Sequence, residues 1–147
     1  MLVDGRHFTV AEMACHDGTP YPEEFADRLA KLFRVLDAIR DAWNGPVRIV
    51  SGYRSPEHNA ALIEADEAKG SHQVASGSMH VGGMAADICP LEGPHEIQQF
   101  HVVIMDAYHA GKLPELGAQA LYPLSGWVHV DVRDQVPVGH LATWPAR

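Results

Sequence analysis

The stretch Trp127-Val128-His129-Val130-Asp131-Val132-Arg133 alternates apolar and polar residues without a break. That period of two constrains the fold more than any other feature of the chain. In a strand, residues two apart share a face, so Val128, Val130 and Val132 line one side and His129, Asp131 and Arg133 the other. The valine side has to cover a core. The row of imidazole, carboxylate and guanidinium opposite borders either solvent or a polar cleft, and periodicity alone leaves that choice open.

A sheet with an apolar face needs helices to cover it. Phe25, Leu29, Leu32, Phe33, Leu36, Ile39 and Trp43 recur mostly at three- and four-residue steps, the stripe of a helix buried on one side. Glu23 and Glu24 suit its start and Asn44-Gly45-Pro46 stops it. Thr9-Val10-Ala11-Glu12 has the pattern of a capping box opening a short helix. Residues 58–68, just after Pro56, read as a further helix, and so do residues 96–110, with Ile97, Phe100, Val103, Ile104 and Ala107 on one side. Residues 47–52 and 85–89 read as strands, the second short, buried and closed by Pro90. Residues 134–147 show little periodicity. Without repeats or a linker, the simplest expectation is one α+β domain over residues 1–147.

A chain of 147 residues can bury roughly 68–70% of its unfolded surface, so its core needs no disulfide framework. The net charge of −8, with no basic stripe, argues against nucleic acid as a partner. No apolar run reaches the ~20 residues of a membrane helix, and the first residues lack a signal-peptide layout. The expectation is a soluble monomer made in the cytoplasm, with release to a cell wall or incorporation in a virion left to other factors. Cys15 and Cys89 have no metal-ligand spacing; they are free buried thiols or one disulfide.

Chemistry concentrates in Ser78-Met79-His80-Val81-Gly82-Gly83-Met84-Ala85-Ala86-Asp87. Gly82-Gly83 permits a tight turn or a positive φ, and Ala85-Ala86 permits close backbone approach. The chain can thus return so that His80 and Asp87 meet. An acid inside Ala-Ala-Asp-Ile-Cys should not be buried ionised without a cation or donors around it. Together with His129 these residues form the ligand set of a Zn²⁺ site that keeps one position open for water. Taken singly, His80 reads as a hydrogen-bonded structural histidine, and Arg54 as half of a surface ion pair.

Ser78-x-His80-x-x-Gly83-x-Ala85-x-Asp87 resembles the S-x-H-x-x-G-x-A-x-D signature of the zinc D-Ala-D-Ala carboxypeptidases, peptidase family M15, within the L,D- and D,D-peptidase superfamily. Ser51-Gly52-Tyr53-Arg54-Ser55-Pro56-Glu57-His58-Asn59 is similar to that family's S-G-Y-R-S-x-x-x-N segment, and Trp127-Val128-His129 to its third-ligand strand. The order holds over about residues 7–133, and the variant most resembles the phage-type branch found in lysis and virion proteins.

The resemblance implies a Hedgehog/DD-peptidase-like fold, with a small antiparallel sheet carrying the zinc site and helices packed on it. It implies His80, Asp87 and His129 as Zn²⁺ ligands, Arg54 holding a substrate carboxylate or carbonyl, and Ser78 donating to the bound peptide. The activity implied is hydrolysis of peptidoglycan stem or cross-link peptides, as a carboxypeptidase or endopeptidase.

Two departures stand out. Many relatives carry the catalytic acid three residues before the last His ligand, where this chain has Gly126. Asp131 is the first substitute as general base, with orientation of a ligand or pairing with Arg133 as its competing role; His72 and Tyr122 follow, and Tyr122 is also a substrate-binding residue. The polar stretch 64–77 is longer than the usual link between these motifs. The alternative function is a catalytically silent, zinc-stabilised domain of the same fold that binds cell wall or a virion partner. A metal-free structural domain is a third reading, opposed by the intact ligand triad.

Overall fold

The alternating stretch lies inside a five-stranded sheet. In the computed structural model, which describes residues 1–71, 74, 77–92 and 96–144, the strands are β1 (Val47–Ser51), β2 (Ala85–Pro90), β3 (Ala118–Tyr122), β4 (Trp127–Asp131) and β5 (Ala142–Thr143), in the order β1-β2-β4-β3-β5. The first four pair antiparallel, as expected. The two-residue β5 adds a parallel edge beside β3, so the sheet is mixed and the fold α+β.

Three α-helices accompany the sheet: α1 (Ala26–Trp43), α2 (Pro56–Ala68) and α3 (Ile97–His109). Helix α1 follows a 3-10 turn at Glu23–Phe25 and ends at Asn44, which adopts φ 57° and returns its N–H to Arg40 O. Its expected stripe is the buried one: Leu29, Leu32, Phe33, Leu36 and Ile39 join Phe100 and Ile104 of α3 over Ile88, Val128 and Val130 of the sheet. Each such side chain contributes about 1.5–3 kcal/mol by leaving water, which is enough to fix which face of β4 points inward. The capping box at Thr9 and Glu12 is present, on the 3-10 turn Val10–Met13. The segment before it is pinned by the buried Asp37 carboxylate, which accepts Arg6 N–H and His7 N–H at 3.0 and 3.1 Å. Both cysteines are free and buried.

Register decides what lies on the other face. Ala86 pairs with Val130 and Ile88 with Val128 on the core side, which places Asp87 directly opposite His129 and Ala85 opposite Asp131. Strand β3 adds Ala120 beside His129 and Ala118 beside Asp131. Directly opposed side chains have Cβ atoms only about 4.5–5.5 Å apart, and the flanking alanines leave room for polar groups to converge. No described helix is long and apolar enough to cross a membrane.

Three elements depart from the sequence reading. Strands β3 and β5 were not marked by alternation: β3 reads Ala-Gln-Ala-Leu-Tyr, and its first three residues are buried regardless of polarity. Helix α2 starts at Pro56, capped by Ser55, and runs to Ala68, so the first part of the polar stretch 64–77 is its last turn. Residues 72, 73, 75 and 76 lie outside the described residues, and His72 with them.

Candidate metal centre

His80 sits in a turn built to hold it. Ser78 Oγ accepts His80 N–H at 3.2 Å, and His80 O accepts Gly83 N–H at 3.2 Å. Gly83 has φ 72°, and a Cβ there would lie 2.7 Å from Tyr21 Oη. Only glycine tolerates both. Tyr21 Oη donates to Gly83 O at 2.7 Å and Arg28 Nη1 to Gly82 O at 2.8 Å, so groups on and before α1 clamp the turn.

Three ligand-type atoms converge. His80 Nε2 lies 3.3 Å and His129 Nδ1 3.1 Å from Asp87 Oδ1, and the three residues are 2%, 7% and 3% exposed for His80, His129 and Asp87. His80 Nδ1 donates to Gly52 O at 2.7 Å, because a carbonyl can only accept. Nε2 therefore presents its lone pair to the cluster, where it is buried and has no hydrogen-bond partner. On His129 the order is reversed: Nε2–H donates to Asp131 Oδ2 at 2.8 Å, so in the neutral ring the lone pair is on Nδ1, towards Asp87. Two lone pairs and a carboxylate oxygen facing one another in a buried place call for a cation. Their atoms lie within 4.8 Å of one another, and two imidazoles with one carboxylate are a suitable donor set for zinc with an open position.

The surrounding electrostatics suit a cation at Asp87 and His80, while His129 favours a second proton in its place. Burial pushes the Asp87 carboxyl up, but His80 and His129 hold it below the ordinary carboxylate range. Burial pushes His80 down, outweighing Asp87, which favours the neutral imidazole a metal needs. Burial also works downward on His129, but its hydrogen bonds to Asp131 and Asp87 carry it above the ordinary value. Its second proton occupies the direction a metal would take.

Asp131 is 0% exposed. Besides His129, it accepts Arg133 Nε–H at 2.9 Å, Arg133 Nη2–H at 2.7 Å and Arg133 N–H at 3.2 Å. It is also absent from the residues lining the cavity above the cluster. Asp131 therefore packs against His129 and Arg133 and does not line the cavity. The polar side of β4 is therefore neither solvated nor an open row. It is a hydrogen-bonded row from half-buried Arg133 through buried Asp131 to buried His129.

The cavity, of about 350 Å³, is lined by Arg54, Ser78 and Tyr122 together with all three clustered residues. Arg54 Nη2 lies 3.5 Å from Asp87 Oδ2, its Nη1 bonds Asn59 Oδ1 at 3.4 Å, and its Nε is buried without a partner. Trp127, Ser125, Arg133 and Trp144 add to the walls, with Val74, Gly77 and Met79. Trp144 comes from the unpatterned tail: β5 carries it over the site, its ring 5.2 Å from that of His129 and its Nε1–H donating to Tyr122 Oη at 3.0 Å. Arg133 lies 5.4 Å from the Trp144 ring centre. No pattern in residues 134–147 signalled this, although a lone tryptophan in a polar tail was a usable hint.

The sequence profile of Peptidase M15 matches residues 6–131. The chain belongs to the Peptidase M15 family. No curated protein and no solved structure matches it. The M15 match spans the turn of His80, β2 and β4, and M15 peptidases are metal-dependent, in keeping with the cluster those segments build. The departure at Gly126 has a backbone cause. This residue closes the turn between β3 and β4 with φ 86°, its N–H bonding Tyr122 O at 2.8 Å. A side-chain carboxylate at that position would have to occupy a left-handed conformation.

Proposed function

We propose that this M15 chain is a zinc-dependent peptidase, one domain over residues 1–147, that hydrolyses stem or cross-link peptides of peptidoglycan at a bond next to a D-amino acid. The observation that supports this most is the unpartnered, buried His80 Nε2 facing Asp87 and His129 on the wall of a cavity sized for a short peptide. In this reading His80 Nε2, Asp87 Oδ1 and His129 Nδ1 hold the ion. Zinc when bound supplies Lewis acidity, polarising a carbonyl and lowering the pKa of water to about 7.

The chain's own residues bind and orient. Arg54 offers guanidinium hydrogens at the cavity wall for a peptide carboxylate or carbonyl. Ser78 Oγ accepts only the His80 N–H among described residues, which leaves its hydroxyl hydrogen for the peptide. Tyr122 Oη accepts from Trp144, so its hydrogen likewise points to a substrate oxygen. Asp131, held by Arg133, keeps His129 in the tautomer that ligates through Nδ1. Trp144 and Trp127 give the cavity apolar walls that exclude water from the peptide.

A second reading has a specific observation behind it: among the described residues lining the cavity, Asp87 is the one carboxylate. A zinc-stabilised domain that binds cell wall or a virion partner without turnover fits that. Zinc-loaded protein incubated with purified peptidoglycan separates the two. Release of new amine groups, abolished in His80→Ala, supports the peptidase; zinc-loaded protein that sediments with peptidoglycan and releases none supports the binding domain.

A further inference from the structure

Outside the cavity, a second group of unlike donors converges where the loop after Val10–Met13 meets the start of α2. Cys15 Sγ, a carboxylate oxygen of Asp17 and a ring nitrogen of His58 lie within 4.8 Å of one another. Ser55 stands among them. Its hydroxyl donates to Asp17 Oδ2 at 2.6 Å and accepts His58 N–H at 3.1 Å, and its own N–H donates to Cys15 Sγ at 3.4 Å. The loop is closed on itself by Gly18 N–H to Cys15 O at 3.0 Å, Cys15 N–H to Thr19 O at 2.8 Å, and Thr19 N–H to Asp17 Oδ1 at 2.9 Å.

We propose that Cys15, Asp17 and His58 form a second divalent-metal site, suited to Zn²⁺, that clips the loop 15–19 to the start of α2.

Three observations carry this. The donors are one sulfur, one nitrogen and one oxygen, a set that matches the borderline softness of zinc and not that of magnesium or calcium. The side chains are already gathered on one partner. Ser55, the N-cap of the 13-residue α2, donates its N–H to Cys15 Sγ and its hydroxyl to Asp17 Oδ2, and Cys15 Sγ lies 3.9 Å from the same Ser55 Oγ. Finally, the His58 ring contacts the His16 ring at 6.1 Å, and its nitrogens hydrogen-bond no described residue.

The site has a mechanical purpose in this fold. Asn59 is the one buried residue of α2, so this helix has little apolar surface with which to dock. Its polar first turn is the anchor, and a metal there replaces weak contacts with coordinate bonds. Asp17 is exposed and His58 half-buried, which leaves an entry path and a water position on the solvent side, while Cys15 is 4% exposed. Because Arg54 directly precedes Ser55, the clip also stiffens the segment that carries Arg54 into the cavity wall. None of this depends on the reading of the first site.

Cobalt titration tests the proposal. Protein stripped with chelator under reducing conditions is titrated with Co²⁺ alone and followed by absorbance. His80, Asp87 and His129 include no sulfur, so a near-ultraviolet sulfur-to-cobalt charge-transfer band reports Cys15 ligation specifically. The expected result is two equivalents bound, with a band that disappears in Cys15→Ser, weakens in His58→Gln and persists in His80→Ala. His58→Gln alters a half-buried surface residue, so it keeps the test valid if Cys15→Ser fails to fold. One equivalent bound without the band in the wild-type chain overturns the site, and so does a band that survives in Cys15→Ser.

Discussion

Replacing Asp131 by asparagine tests how His129 is aimed. The carboxylate is fully buried, accepts His129 Nε2–H at 2.8 Å, and takes two side-chain donors from Arg133 at 2.7 and 2.9 Å. An amide keeps the volume but turns one acceptor into a donor. If its nitrogen faces Arg133, buried donors oppose each other at a cost of about 1–3 kcal/mol. If it faces His129, the imidazole must accept at Nε2 and carry its hydrogen on Nδ1, the atom 3.1 Å from Asp87 Oδ1. That nitrogen then has no lone pair for a metal. Either arrangement weakens zinc binding by about 10–100-fold, or about 1.4–2.8 kcal/mol. Competition against a chromophoric chelator measures the affinity, with circular dichroism confirming the fold. Hydrolysis should fall only as far as zinc occupancy falls and recover in excess zinc. A variant that binds zinc as tightly as wild type yet hydrolyses nothing would refute the orienting role and make Asp131 a proton carrier.

Other perturbations probe separate parts of the structure. His80→Ala removes one of the three converging ligand atoms and should eliminate tight zinc binding at this centre, measured as the loss of one equivalent of metal after dialysis. Gly126→Ala places a side chain at φ 86° and should cost about 1–2 kcal/mol, read as a lower urea midpoint; an unchanged midpoint would mean that the turn does not require glycine. Trp144→Ala removes the ring 5.2 Å from His129 and the donor to Tyr122, and should raise KM several-fold while leaving zinc content unchanged. Glu115 is held below its ordinary value mainly by its hydrogen bond to Arg34, at 2.8 Å. Because the folded value is depressed, the pair stabilises above the unfolded value of about 4.3 and loses its effect as pH falls through the folded one. Glu115→Gln should therefore cost about 0.2–1 kcal/mol at neutral pH and nothing in strong acid, compared by thermal melts across pH.

What the sequence disclosed follows from how locally each feature is encoded. The stripe of α1 and the alternation of β4 are short-range patterns, and both appear on the faces they specify. His80 and Asp87 were legible because the two glycines permit a tight turn and the two alanines a close backbone approach between them. That His129 faces Asp87 required the register of β2 against β4, a long-range fact that no local pattern carries. The same holds for Asp131. Alternation placed it on the face of His129, but only packing showed that it is sealed from the cavity and held by Arg133. Trp144 reaches the site through a two-residue strand, too short to leave a period. Gly126 read as the loss of a carboxylate; the backbone shows a turn at φ 86°, a conformation that favours glycine.

The central claim is that the three converging ligands serve hydrolysis of peptidoglycan peptides. Digestion of defined muropeptides by zinc-loaded protein, with product masses determined, tests it most directly. The account predicts new products split at a bond next to a D-amino acid, and none after zinc removal or in His80→Ala. Intact muropeptides after prolonged incubation with protein carrying stoichiometric zinc at this site would contradict it.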